Sequence, residues 1–470
     1  MKKFWELNNN MINNSLIGNL FARGFLITQG KPNYIPENWD EHEFKHWTIA
    51  IDPRVNFTHF QMNDVTSIVI GDAVDATESM AHNEVSNVLS DTFLNDNYQD
   101  FVDGLCGRYV LISISDTLRI QQDAAGLRSV FFSRTESAAG SHPALVAKQL
   151  DEKPSVFSRR YLSKHGYTCM PGRSTEFDDV FALTPNTELD LETGQARRIY
   201  AGDLSGSVSV EDAAQSLIET AANQLPWLAG RGPTISLSAG LDSRSSLALL
   251  KPIAESLTAF TYTSKYHKKN RYSKHDLNIA IKLSSLGNIP IEVIDIDKII
   301  LDAGMKQILE VNFYKHHAQK LAQKYMTSLE GRVNIRSNVF GIARATYESK
   351  EFLKLGPEEM VTLAYGGKVT DSLAVESFQD FIDETDFPSQ SDMDLRDLFL
   401  WEHRIGVWQA AIYLESDVSH QSHVLLNQRA ILKKLLSVPK YDRIHGSVFK
   451  LIIRQQWPEL SKYPVNGVPF

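Results

Sequence analysis

Cysteine is nearly absent. Cys106 and Cys169 are the only two in 470 residues, too few for a disulfide framework or a metal-type cysteine cluster, and this fits a reducing cytosol. No run of about 18 apolar residues occurs, so no membrane span and no membrane partner is expected. The start, Met1-Lys2-Lys3-Phe4-Trp5-Glu6-Leu7 followed by Asn8, Asn9 and Asn10, lacks the apolar stretch of a signal peptide, and a cytoplasmic protein is expected. An excess of positive charge is also missing: 48 Lys and Arg against 57 Asp and Glu leave a net charge of −9, which argues against a nucleic-acid partner. What remains is ordinary for a globular chain, with 43% hydrophobic and 22% charged residues, and the length exceeds one typical core, so two domains are expected.

One stretch stands out against this background. Thr234, Ile235, Ser236 and Leu237 alternate as a short strand, small residues interrupt them, and Leu247, Leu249 and Leu250 resume with helical spacing. Small side chains at Ser238, Ala239 and Gly240 let a phosphate approach the backbone. Ser243 and the first free N–H groups of the helix supply donors and a positive dipole end. Asp242 within such an anion site would repel phosphate unless a divalent cation sits between them, which points to Mg²⁺ with a nucleotide. A plain Ser-capped helix entry is the other reading of the same turn. The Gly-Lys-Ser/Thr ending of a Walker loop is missing. The pattern Ser-X-Gly-X-Asp-Ser over 238–243 resembles the pyrophosphate loop of the ATP-pyrophosphatase superfamily, Ser-Gly-Gly-X-Asp-Ser, with Ala239 in place of the first glycine. The resemblance implies that Leu237, Ser238, Ala239, Gly240, Asp242 and Ser243 contact ATP, with Asp242 on the metal, and that ATP is cleaved between its α and β phosphates to adenylylate a substrate oxygen.

Residues 20–135 read mainly as β structure, with strands expected over 20–28, 46–51 and 65–71 and a helix over 81–94. The clearest pair is 107–114 with 118–123, a hairpin across Ser115, Asp116 and Thr117. It runs into Asp123-Ala124-Ala125-Gly126 and then Val130, Phe131 and Phe132. This order resembles glutamine-dependent amidotransferases of the asparagine synthetase family, in which a Gly-Arg-Phe strand precedes an Arg-Asp-X-X-Gly turn and a Pro-Leu-Tyr-Tyr strand. Upstream of a pyrophosphate loop, it implies an asparagine synthetase-like α/β two-domain chain. Residues 1–205 would form an Ntn-hydrolase-like α+β sandwich, a degenerate class II glutamine amidotransferase domain. Residues 206–470 would form an α/β parallel-sheet ATP-pyrophosphatase domain of the adenine nucleotide alpha hydrolase-like type, with the boundary in the polar segment 201–207. A working amidotransferase half uses a cysteine exposed as the mature N-terminus, whose α-amino group is the base for the thiol. Position 2 is Lys2, Cys106 enters an apolar strand and Cys169 sits in a turn. The resemblance therefore implies no glutaminase activity, as in β-lactam synthetases and lasso-peptide cyclases, and an acceptor amine supplied by the substrate or as ammonia.

The second half alternates strands and helices, the pattern of a parallel sheet. A strand over 257–262 would place Thr261 beside the adenosine, since ligands sit at the carboxyl ends of such strands. A helix over 273–283 and a strand over 289–295 follow. The cluster of His267, Lys268, Lys269, Arg271 and Lys274 screens phosphates or is a solvated loop. Where the family carries a second phosphate-side motif with acidic groups, this chain has 333–344, which keeps neither its glycines nor its acids. Arg336 and Arg344 stand there instead, suited to a phosphate or substrate carboxylate, or lying on the surface. A rival placement is 365–371, with Gly366, Gly367 and Asp371. Glu402 lies in an otherwise apolar helix over 397–408 and reads as a base or base partner, or as half of a buried pair with arginine that fixes the helix. The tail resembles the family's Lys-X-X-X-Arg helix, Pro turn and catalytic lysine loop, and offers Lys450 or Lys462 to steady the charge that develops as the amine attacks. Arg336, Glu402, Lys450 and Lys462 are thus the candidate catalytic residues. Taken together, the residues and the resemblance imply an amide-forming ligase that uses ATP and Mg²⁺ on a small-molecule or peptide substrate bearing a carboxylate and an amine, with a homodimer as the assembly to test. A non-catalytic paralogue acting as a binding or scaffolding subunit is the alternative.

Overall fold

The computed structural model describes residues 14–76, 85–94, 97–165, 170–204, 206–265, 271–313, 318–347, 370–388 and 391–470. The first half of the chain builds two six-stranded antiparallel sheets. One runs in the order Val180–Ala182, Phe131–Ser133, Ala138–Gly140, Phe25–Gln29, Trp47–Ile51, Asp40–Phe44. The other runs Gln195–Arg198, Thr187–Asp190, Leu118–Gln122, Leu105–Ile114, Val65–Asp75, Phe57–Met62. Side-chain alternation along these strands sets the layering. Phe25, Ile27, Ile49 and Ile51 of the first sheet meet Ile68, Ile70, Ile112 and Ile120 of the second in one core. The residues between them, Leu26 and Ala50 on one sheet and Val69 and Leu111 on the other, face outward. Helix Pro143–Gln149 covers the first outer face and helix Val85–Leu94 the second, so the layers run helix, sheet, sheet, helix.

The predicted hairpin forms, with Ile114 opposite Leu118. Its following turn is held by Asp123, whose carboxylate accepts the backbone N–H groups of Ala125 (3.2 Å), Leu127 (2.9 Å) and Arg128 (2.8 Å). The strand expected over 20–28 begins only at Phe25. Phe21 and Arg23 adopt φ of 54° and 52°, outside strand geometry, and the Phe21 N–H is taken by Asn312 Oδ1 at 2.7 Å instead of a neighbouring strand. Cys106 lies in strand Leu105–Ile114 with no exposed surface, and burial pushes its thiol pKa up, with Asp75 adding to the effect. Lys2 and Cys169 lie outside the described residues.

The second half carries a five-stranded parallel sheet in the order Ile291–Asp295, Thr258–Thr263, Pro233–Ser236, Val333–Ile335, Gln421–His423. From Pro233–Ser236 the chain first adds two strands on one side, then returns to add two on the other. The carboxyl ends of Pro233–Ser236 and Val333–Ile335 therefore flank the point where strand order reverses, the crevice in which open parallel sheets bind ligands. A long helix from Leu395 to Ser416, widened to i→i+5 geometry over Leu400–Gln409, meets the first half where Trp401 Nε1 donates to Ala124 O at 2.6 Å and meets Arg336, just past strand Val333–Ile335, through Ser416.

The two halves meet through buried polar pairs. Arg108 forms a bidentate pair with Asp417 at 2.5 and 2.6 Å, and Asn427 Nδ2 donates to Asp123 Oδ1 at 2.8 Å. Two glycines pinch Pro185 at the joint. A Cβ on Gly406 would sit 2.3 Å from Pro185 Cδ, and one on Gly126, at φ +66°, would sit 3.0 Å from the same atom.

Candidate functional site at the carboxyl end of the parallel sheet

The segment 238–243 joins strand Pro233–Ser236 to helix Leu241–Leu249, as the sequence predicts. The loop holds its own shape through hydroxyls. Ser238 Oγ and Ser243 Oγ lie 3.0 Å apart, the Ser238 N–H donates to Ser243 Oγ at 3.3 Å, and the Gly240 N–H donates to Ser238 Oγ at 3.1 Å. The Ala239 N–H donates to the Asp276 carboxylate from helix Arg271–Leu286. No side chain caps the helix after Gly240, so its first-turn N–H groups point into the crevice with the dipole's positive end. Buried Arg244 ties this helix to the tail, donating to the carbonyls of Leu460 (3.2 Å), Tyr463 (2.6 Å) and Pro464 (2.8 Å). The Asn466 N–H reaches Ala239 O at 3.2 Å.

The loop opens onto a cavity of about 460 Å³, within the range of small-molecule sites. Ser238, Asp242 and Ser243 form its loop edge, Phe260, Tyr262, Tyr325 and Trp408 its aromatic walls, and Asn334, Arg336, Gln409 and Glu415 its polar groups. Phe260 and Tyr325 meet edge to face at 5.2 Å, and burial raises the Tyr325 phenol pKa, keeping it neutral. Arg336 is fixed on three sides. Its N–H donates to His423 O at 2.9 Å, Nη2 donates to Ser416 Oγ at 2.9 Å, and the guanidinium lies 4.7 Å over the Tyr413 ring. Glu415 accepts the Ala318 N–H with both oxygens, at 2.8 and 2.9 Å. Asn334 Oδ1 and Gln409 Nε2 are buried yet lack a hydrogen-bond partner among the described residues, an acceptor and a donor left for a ligand. Desolvation lowers the pKa of the neighbouring His423 to about 4 and that of His420 well below the ordinary histidine value, so both are neutral at physiological pH.

Of the residues singled out in the sequence, the structure brings Ser238, Asp242, Ser243 and Arg336 to this cavity, with Ala239 and Gly240 in the same turn. Leu237 is buried behind the loop. Thr261 falls on the opposite face of its strand. Side chains alternate, so Phe260 and Tyr262 line the cavity and Thr261 does not. Glu402 has no exposed surface and does not line the cavity; Arg198 holds its two oxygens at 2.7 and 3.0 Å, and Asn186 donates at 3.1 Å. Those contacts are those of a pair that fixes the helix, with Arg198 as the partner. Lys450 is half-buried in helix Ser447–Gln456, and Lys462 is exposed at the end of Pro458–Lys462; neither lines the cavity. Asp371 of the rival motif caps helix Ser372–Glu384, while residues 365–369 and His267, Lys268 and Lys269 lie outside the described residues.

Asp242, expected on a metal, is instead paired with a cation: Arg344 Nη1 lies 2.8 Å from its Oδ1. Burial raises the Asp242 carboxyl pKa, and Arg344 pulls it back down. Mg²⁺ is usually held by one or two free carboxylates together with substrate phosphates. Among the described residues no group of three or more His, Cys, Asp and Glu is placed to hold a metal ion, and of the two carboxylates at the loop Asp242 is engaged by the Arg344 guanidinium and Asp276 by the Ala239 N–H. These residues do not fit a protein-held Mg²⁺.

A scan against protein-family models matches none, and a search of the curated proteins finds no match. Among solved structures, the chain is similar to an NH3-dependent NAD synthetase from Campylobacter jejuni, at 14% identity over 38% of this chain and 95% of that one, with a TM-score of 0.23. It is similar to an NMN synthetase from Francisella tularensis, at 16% identity over 45% of this chain and 97% of that one (TM-score 0.19). A third likeness is the U34-tRNA thiolase NcsA from Methanococcus maripaludis, at 12% identity over 52% and 80% of the two chains (TM-score 0.22). At such scores the likenesses carry no argument, and the functional reading rests on the geometry above. Among the described residues no helix is long and apolar enough to cross a membrane.

Proposed function

We propose that this chain is an ATP-dependent, amide-bond-forming ligase of the asparagine synthetase-like type, without glutaminase activity. It adenylylates a substrate carboxylate and joins it to an amine, releasing AMP and pyrophosphate. The observation that carries this reading is the uncapped N-terminus of helix Leu241–Leu249, entered through the 238–243 turn, facing an aromatic-walled cavity at the reversal point of a parallel sheet. In this reading the first-turn N–H groups and the Ser238 and Ser243 hydroxyls hold the phosphates, and the aromatic walls take the base. Arg336, immobilised over Tyr413, faces the reacting carboxylate or α-phosphate. The helix–sheet–sheet–helix layering of the first half supports the Ntn-hydrolase-like assignment of a first domain ending near 205, and buried, unreactive Cys106 supports its loss of glutaminase chemistry. The amine is then free ammonia or part of the substrate.

A second reading, a binding or scaffolding paralogue that does no chemistry, is favoured by one observation: Glu402, Lys450 and Lys462 all lie off the cavity wall. The two are separated by incubating the chain with α-labelled ATP and a panel of carboxylate and amine substrates. AMP and pyrophosphate formed in equal amounts, with amide product, are expected of the ligase. Tight ATP binding with no AMP under any condition would leave the scaffolding reading.

A further inference from the structure

A bare phosphate brought to the 238–243 loop would meet the Asp242 carboxylate at the cavity edge. That repulsion has two remedies, a metal ion between the two anions or a fixed cation already on the carboxylate. The structure has the second. Arg344, the last residue of the short helical turn Asn338–Arg344, is followed by Ala345 in the left-handed region at φ 46°, and this bend ends the turn with Arg344 Nη1 on Asp242 Oδ1. Both side chains are about two-thirds covered, at 31% and 33% exposure; Asp242 lines the cavity, and Arg344 adjoins it through this contact. Arginine is always charged and its fork carries five N–H donors, of which a single carboxylate oxygen uses one. A second guanidinium, Arg336, lines the same cavity. The opposing acid on the wall, Glu415, has both oxygens turned to the Ala318 N–H. The other acid at the loop, Asp276, accepts the Ala239 N–H, and among the described residues no group of three or more His, Cys, Asp and Glu forms a metal-type cluster.

We propose that this site binds the phosphates of a nucleotide without Mg²⁺, with Arg344 cancelling the Asp242 charge and donating its remaining N–H groups to the phosphate oxygens. The inference rests on the nucleotide reading above and adds to it the charge partner that the loop uses. Arg344 and Asp242 then act as one neutral, donor-rich unit, and the loop accepts a polyphosphate as an anion cradle does.

Calorimetric titration of ATP into the full chain, once with EDTA and once with excess Mg²⁺, tests this. The wild-type affinities are expected to agree within about threefold. Arg344→Met exposes the Asp242 charge, so ATP binding in EDTA should weaken roughly ten- to a hundredfold, the loss expected of a charge-assisted hydrogen bond. Excess Mg²⁺ should recover most of that loss, because the freed carboxylate becomes a metal ligand; a merely structural arginine would not confer metal dependence. Wild-type binding that requires Mg²⁺ overturns the inference and leaves the ligase reading standing. Binding in neither buffer overturns the nucleotide reading and this inference with it. Should Arg344→Met not fold, the wild-type comparison decides by itself.

Discussion

Arg198→Met is expected to lower the stability of the chain toward urea by about 3–5 kcal/mol, the cost of leaving a buried charge without its partner. Glu402 has no exposed surface, and Arg198 supplies the bidentate contact to both its oxygens, leaving Asn186 as its hydrogen-bond partner among the described residues once the guanidinium is gone. Arg198 also donates to the carbonyls of Thr385 (2.9 Å), Asp386 (2.7 Å) and Tyr200 (2.9 Å), so the same side chain joins the last strand of the second antiparallel sheet to the loop after helix Ser372–Glu384. Methionine fills the volume and restores none of these bonds. Arg198→Lys keeps the charge but not the fork, and should recover part of the loss. The measurement is the urea midpoint and slope by circular dichroism. A midpoint unchanged in Arg198→Met would mean that Glu402 is not held as described and would return it to the list of candidate bases.

The second large effect is on turnover. Arg336→Met should slow AMP formation by about a hundred- to a thousandfold, the range seen when a preorganised donor is removed from a developing charge. Its geometry explains why it can act this way. The backbone is pinned to His423 O, Nη2 to Ser416, and the guanidinium lies 4.7 Å over the Tyr413 ring, so little reorganisation accompanies reaction. Tyr413 lies beneath it without exposed surface, and the buried Arg108 guanidinium, 5.2 Å from the centre of the same ring, remains in the variant. Single-turnover measurements with saturating ATP separate the outcomes: an unchanged rate removes Arg336 from the chemistry, and a loss confined to ATP affinity makes it a phosphate contact alone.

Much of the second half was legible because its signals are local. The strand–turn–helix around 238–243 announces itself by small residues between an alternating and a helical segment, and the structure forms it there. The strands at Thr258–Thr263 and Ile291–Asp295 were legible from their β-branched and aromatic runs. Val333–Ile335 and Gln421–His423 are three residues each, too short for any periodicity, and they acquire strand geometry only from their neighbours in the sheet. Thr261 illustrates a parity error. The strand and its end were readable, but the face that meets the cavity depends on register with Pro233–Ser236, a tertiary fact.

Glu402 is a subtler case. On an ordinary helix, residues seven apart return nearly to the same face, so Glu402 would share a side with the cavity residues Gln409 and Ser416. The wide turn over Leu400–Gln409 advances less per residue and rotates Glu402 out of line, onto Arg198. Nothing in the side-chain pattern of that segment marks the widening. The Asp242–Arg344 pair was half legible: both residues stood out, but their sequence separation of 102 hid that they meet.

The central claim is that the 238–243 turn and the helix it opens cradle the phosphates of ATP. Hydrogen–deuterium exchange of the full chain with and without saturating ATP tests it most directly, because the donors in question are backbone N–H groups. The account predicts slowed exchange concentrated in 238–249 and in the facing segment 334–344. ATP binding that leaves exchange across 238–249 unchanged, with protection elsewhere, would contradict it.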